Sequence, residues 1–180
     1  MDCLVSSKVI LVGLKHQEWK EKPGLKTFLK TIDERIVVDT GVVYEILLGT
    51  KKGTIFKDML FSTPDIVEHW LTTLNLSEIY YLCCRGLPAE LLDQTIANVE
   101  KLFLISDLNT LSISAGFLKC NYSISLPDAY SIALAQKLNC KVIFKREKEL
   151  TDTLEKIPTS ELANIVFLDD FNYFKTRMNS

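Results

Sequence analysis

With 180 residues, 47% of them hydrophobic and 24% charged, the chain has material for one soluble globular domain with a sizeable core and a short appendage. A formal net charge of −2 excludes a general electrostatic pull towards nucleic acid, so any basic surface has to be local. The odd set of cysteines (Cys3, Cys83, Cys84, Cys120 and Cys140) lacks zinc-site spacing and argues for a reducing cytoplasm, and no run approaches the length of a membrane span.

Residues 1–34 differ in character from the rest of the chain. Residues 8–14 are strand-like, a polar stretch holds His16 and Trp19, and Leu25, Phe28, Leu29 and Ile32 repeat at helical spacing. This predicts an extra strand and helix, an extension to a main domain over 35–180. There, Ile36-Val37-Val38 is a short β-branched run and reads as a buried strand. Residues 42–48 predict a helix closed by Gly49, and residues 54–61 a second one. Residues 66–71 predict a strand, followed by a helix capped by Thr73 and running to Cys84. Helices over 88–102 and 108–119 flank a strand at 103–105. Ser125 caps a helix that carries Pro127 in its first turn and ends near Asn139, and strands at 142–144 and 165–168 complete the pattern. Strands alternating with helices predict a three-layer α/β/α fold with a mainly parallel central sheet.

Acidic residues stand where such a fold needs them least. Asp39 ends the first strand, at the carboxyl edge where open α/β sheets bind ligands. Capping of the next helix would explain an isolated Asp there equally well. Glu78 shares a face with Leu74, Tyr81 and Leu82, at spacings of four, three and four residues. Asp128 lies in a first helical turn, on a face with Ile132, Ala135 and Leu138. Glu147 follows the strand at 142–144, although Lys145-Arg146-Glu147-Lys148-Glu149 also reads as a solvated charged turn. Desolvated carboxylates need partners, and a hard divalent cation, Mg²⁺ or Mn²⁺, is the economical common one.

These residues resemble motifs of the PIN-domain ribonucleases, notably the VapC-type toxins. Ile36-Val37-Val38-Asp39-Thr40 is similar to the family's opening acidic motif. Asn75-Leu76-Ser77-Glu78-Ile79-Tyr80-Tyr81 resembles the segment bearing its Glu, and Ser125-Leu126-Pro127-Asp128-Ala129-Tyr130 its third motif. Lys145-Arg146-Glu147 departs from the fourth, which usually ends a Thr-containing triplet with Asp. The resemblance covers residues 35–170. It implies Mg²⁺- or Mn²⁺-dependent endonucleolytic cleavage of RNA, leaving 5′ phosphates, with Asp39, Glu78, Asp128 and Glu147 as metal ligands and catalytic carboxylates. Thr40, Lys145, Arg146 and Lys148 would contact substrate. It also implies a homodimer, with residues 54–61 and Tyr80-Tyr81 as candidate surfaces, and a small antitoxin protein as partner.

Other classes fare worse. A haloacid-dehalogenase-like phosphatase needs a second Asp two residues after the first, where this chain has Gly41. A dinucleotide-binding turn needs more glycine than Asp39-Thr40-Gly41-Val42-Val43 contains. A non-catalytic PIN-like scaffold remains the rival reading.

Overall fold

The computed structural model describes residues 34–61, 67–154 and 165–170. The predicted elements of residues 1–33 lie outside these. Strand β1 (Arg35–Val38) leads into helix α1 (Thr40–Leu47) and then α2 (Lys51–Phe61). Strand β2 (Glu68–Thr72) is followed by α3 (Thr73–Cys84) and α4 (Ala89–Leu102), and β3 (Leu104–Ser106) by α5 (Ser112–Asn121) and α6 (Leu126–Leu138). Strand β4 (Lys141–Phe144), α7 (Lys148–Leu154), β5 (Ile165–Phe167) and a 3₁₀ turn at Leu168–Asp170 complete the described chain.

The strands form one sheet in the order β3-β2-β1-β4-β5, and every pairing is parallel. Strand β1 lies centrally, with Val37 opposite Trp70 on one side and Val142 on the other. Connections run outward from β1 to β2 and β3, then return to its other side as β4. The β1/β4 boundary is therefore the topological switch point, where strand-end loops diverge and leave a crevice.

Side-chain alternation builds the two apolar layers. Ile36, Val38 and Ile143 enter the cluster containing Val42, Phe56, Met59, Leu60, Leu71 and Ile79. Val37, Val142 and Phe144 enter the opposite one, with Leu111, Ala115, Ile132 and Leu134. Both faces of the sheet are thus covered, as parallel strands require.

Local rules explain the element ends. Gly49 has φ +62°, and its N–H donates to Ile46 O at 3.1 Å while Thr50 N–H donates to Glu45 O at 3.3 Å. This paired closure stops α1 at the expected glycine. Helix α2 follows at once and packs closely: a Cβ on Gly53 would lie 2.0 Å from Glu45 O. Only glycine permits that approach.

Four expectations need correction. Helix α3 is capped by Thr72, not Thr73, because the Thr72 and Asn75 side chains exchange bonds with each other's backbone N–H. Its buried stripe is Asn75, Ile79 and Cys83, while Tyr81 is 55% exposed, so Glu78 borders the core. Helix α5 starts at Ser112 and not at 108, since the Asp107 carboxylate accepts Asn109 N–H at 2.6 Å and holds a turn there. The charged segment after β4 enters a helix at Lys148. Leu150 anchors that helix in the core, and Thr153 Oγ1 donates to Ser123 O at 2.9 Å.

Candidate active site

Asp39 occupies the switch point. It follows β1, donates its N–H to Ile143 O at 3.0 Å, and caps α1 by accepting Gly41 N–H on Oδ2 at 3.0 Å. The capping reading and the site reading are therefore both satisfied by one residue. Its side chain is buried, and its pKa is raised from 3.8 to about 7. Desolvation is the largest cause, the negative charge of Asp128 the next, and Glu78 raises it further against the Gly41 and Thr40 backbone bonds. Asp128 and Glu78 thus both bear on Asp39, although the three come from separate elements.

Asp128 is partly buried at the start of α6, where its Oδ2 accepts Ser125 N–H at 3.2 Å in a capping box. Glu78 lies midway along α3, also partly buried. Glu147 is exposed, one residue before α7. Gly41 connects it to Asp39: a Cβ there would lie 3.5 Å from Asp39 Oδ2, 3.5 Å from Glu147 Oε1 and 3.4 Å from Lys145 Cβ. Both carboxylates thus stand within van der Waals reach of the same glycine.

Two of the basic residues, Lys145 and Arg146, are engaged. Lys145 Nζ lies 2.6 Å from Glu45 Oε1. Burial pushes the Glu45 carboxyl up, but Lys145 and the Thr50 hydroxyl outweigh it and hold the group below its ordinary value. The same hydrogen bond raises the Lys145 pKa against burial. Arg146 donates to Asp170 Oδ1 at 2.6 Å and stacks over the Phe167 ring at 4.2 Å. Lys148 is exposed, whereas Thr40 is buried and accepts from Asn75 Nδ2 at 3.1 Å.

Beneath Asp39 lies a polar set whose joint placement the motifs do not reveal. Asn75 Nδ2 also faces Ser131 Oγ at 3.0 Å, and Ser131 Oγ donates to Asp39 Oδ1 at 3.3 Å. The sequence carries two signals of it: a Thr-x-x-Asn capping pattern at 72–75, and a lone hydroxyl in the small-residue run of α6.

Among the described residues, no three His, Cys, Asp or Glu side chains stand close enough to form a closed metal cage. The donor set nevertheless fits a hard cation that keeps most of its water. The available donors are carboxylate oxygens, Asp39 is burdened by its acidic neighbours, and Asp39 Oδ2 and Glu147 Oε1 both stand beside Gly41.

A parallel α/β sheet whose central strand ends in a buried acid at the switch point, with acids of two helices bearing on it, defines the class of fold and site. Residues 36–155 match the family model described as PIN domain, and the chain belongs to that family. No curated protein matches the sequence. Among solved structures, a chain from "Toxin-antitoxin complex from Klebsiella pneumoniae" is similar at 16% identity and TM-score 0.55, covering 74% of this chain and 97% of that one. A chain from VapBC2 of Rickettsia felis, bound to a DNA fragment from its promoter, is similar at 16% identity and TM-score 0.55, with 74% and 96% covered. At that identity the likeness is one of fold. No helix among the described residues is long and apolar enough to cross a membrane.

Proposed function

We propose that this protein is a metal-dependent endoribonuclease, using Mg²⁺ or Mn²⁺ held by Asp39, Glu78, Asp128 and Glu147. The observation that carries this is the buried Asp39 carboxyl at the switch point, with Asp128 and Glu78 near enough to oppose its ionisation. A divalent cation removes that conflict. When bound, it would supply Lewis-acid polarisation of a phosphodiester and of water. Asp39 and Asp128, fixed by helix-start hydrogen bonds, would hold the cation, and Glu78 would complete the charge. Glu147 would orient water beside Gly41. Lys145, Arg146 and Lys148 are proposed RNA-backbone contacts, the first two exchanging Glu45 and Asp170 for phosphate. Thr40, a substrate contact by resemblance alone, is better assigned to the framework through Asn75.

The complexes in which similar chains occur support a role as the toxin of a toxin–antitoxin pair, with a small antitoxin as partner. Cytoplasmic location and a homodimer belong to the same proposal. Tyr80, 48% exposed, and Tyr81 would lie in the dimer interface with α2. Residues 1–34 are proposed as an extension outside the nuclease domain.

A second reading, a PIN-like RNA- or protein-binding scaffold without catalysis, is favoured by the open spacing of the acids and by Lys145 in place of a hydroxyl residue. Mn²⁺ titration with an RNA cleavage assay separates the two. The nuclease binds Mn²⁺ and cuts until EDTA is added; the scaffold does neither.

A further inference from the structure

The amide of Asn75 and the hydroxyl of Ser131 are both 0% exposed. Burying such groups is unfavourable unless every donor and acceptor is used, and an apolar pair would fill the space at less cost. Their bonding shows what they accomplish. Asn75 Oδ1 accepts Thr72 N–H at 3.0 Å and Thr72 Oγ1–H at 2.6 Å, which occupies both lone pairs. Its Nδ2 has two hydrogens, and the near acceptors are Ser131 Oγ at 3.0 Å and Thr40 Oγ1 at 3.1 Å. Asp39 Oδ1, at 3.4 Å, is a longer third acceptor, and the two hydrogens go to the nearer pair. Ser131 Oγ also lies 3.3 Å from Asn75 Oδ1, but that oxygen is already filled. The Ser131 hydrogen therefore turns to Asp39 Oδ1 at 3.3 Å. The order of donation is Asn75 to Ser131 to Asp39.

The node lies one turn from each acid. Glu78 follows Asn75 by three residues on α3, and Asp128 precedes Ser131 by three on α6, so each acid shares a helix face with its node residue. Asp39 caps α1, whose first residue, Thr40, also bonds the node.

From this we infer that Asn75 and Ser131 are positioning residues, a buried node that sets the spacing of Asp39, Glu78 and Asp128 by tying α1, α3 and α6 together beneath them. The inference rests on the nuclease reading. Ligand distances of about 2.0–2.2 Å for a small hard cation leave no room for a helix to slide by even an ångström.

Ser131→Ala tests it, because the variant removes the relay and leaves both capping boxes intact. Ala133→Gly is the control: it weakens the same buried helix without touching the node. Mn²⁺ affinity by calorimetric titration, kcat on RNA and melting temperature are measured for all three proteins. Ser131→Ala is expected to bind Mn²⁺ roughly 10- to 100-fold more weakly, the range for partners that orient ligands. Ala133→Gly should lower the melting temperature while binding Mn²⁺ as the wild type does. Asn75→Ala, if it folds, should lose more affinity than Ser131→Ala. Wild-type affinity in Ser131→Ala, or an equal loss in Ala133→Gly, overturns the inference and leaves the nuclease reading standing. Wild-type protein that neither binds Mn²⁺ nor cuts RNA sinks the nuclease reading, and the inference with it.

Discussion

Replacing Asp39 by Asn should destroy function and stabilise the metal-free fold, and the structure gives the size of the second effect. Asparagine keeps the shape and can still cap α1, its Oδ1 accepting Gly41 N–H. Its Nδ2 can then donate to Ser131 Oγ, where Asp39 Oδ1 now accepts. What disappears is a charge that burial, Asp128 and Glu78 all oppose. Between pH 3.8 and about 7 the folded protein holds a proton at Asp39 that the unfolded chain has released. Stability of the metal-free wild type therefore falls as pH rises through that window, and the loss is complete above it. A shift from 3.8 to about 7, at about 1.4 kcal/mol per unit, makes roughly 4 kcal/mol the ceiling, and relaxation leaves about 2–4 kcal/mol. Urea denaturation in EDTA at pH 4 and pH 8 measures this. The variant should match the wild type at pH 4 and exceed it at pH 8. Mn²⁺ should close the gap, since a ligand at 1,000 times its Kd adds about 4.1 kcal/mol to the protein that binds it. A variant less stable than the wild type at pH 8 in EDTA would refute the idea that the Asp39 charge is a burden.

Other residues make independent claims. His69 is buried in β2, and desolvation lowers its pKa from 6.5 to about 4, so it costs stability as pH falls through that interval, by up to roughly 3 kcal/mol. His69→Leu should remove that acid-side loss, and equal pH dependence of the two proteins in urea melts would contradict it. Gly53→Ala forces α2 away from the Glu45 carbonyl and should destabilise by about 1–3 kcal/mol despite its better helix propensity; an unchanged melting temperature would show that the helices can separate freely. Glu147→Gln should reduce RNA cleavage less than Asp128→Asn does, and an equal loss in kcat would promote Glu147 to a principal ligand. If Tyr80 and Tyr81 lie in a dimer interface, light scattering should show a dimer at micromolar concentration and a monomer for Tyr81→Glu.

The sheet was legible because parallel strands buried on both faces must be continuous apolar runs, and Ile36-Val37-Val38 and Val142-Ile143-Phe144 are such runs. Asp39 and Asp128 were legible for a related reason: each ends or opens an element, so its place follows from the element's boundary. Glu78 was harder. Moving the cap from Thr73 to Thr72 places Asn75, and not the acid, on the buried stripe with Ile79 and Cys83. Helix α7 was hidden because five charged residues at 145–149 mask the contribution of Leu150 and Thr153. The Lys145–Glu45 pair spans 100 positions, and neither residue's local pattern points to the other. Likewise, Asn75 and Ser131 meet only when three helices pack, and pairing across that distance has no periodic signature.

Cleavage of RNA by purified wild-type and Asp128→Asn proteins, with Mn²⁺ and with EDTA, tests the proposed function most directly. The wild type should cut internally and leave 5′ phosphates only when the cation is present. Asp128→Asn, folded by circular dichroism, should lose at least about 100-fold in rate, the scale for removing one preorganised electrostatic group. Cleavage that survives EDTA, or an Asp128→Asn protein that cuts at the wild-type rate, would contradict the carboxylate–cation site.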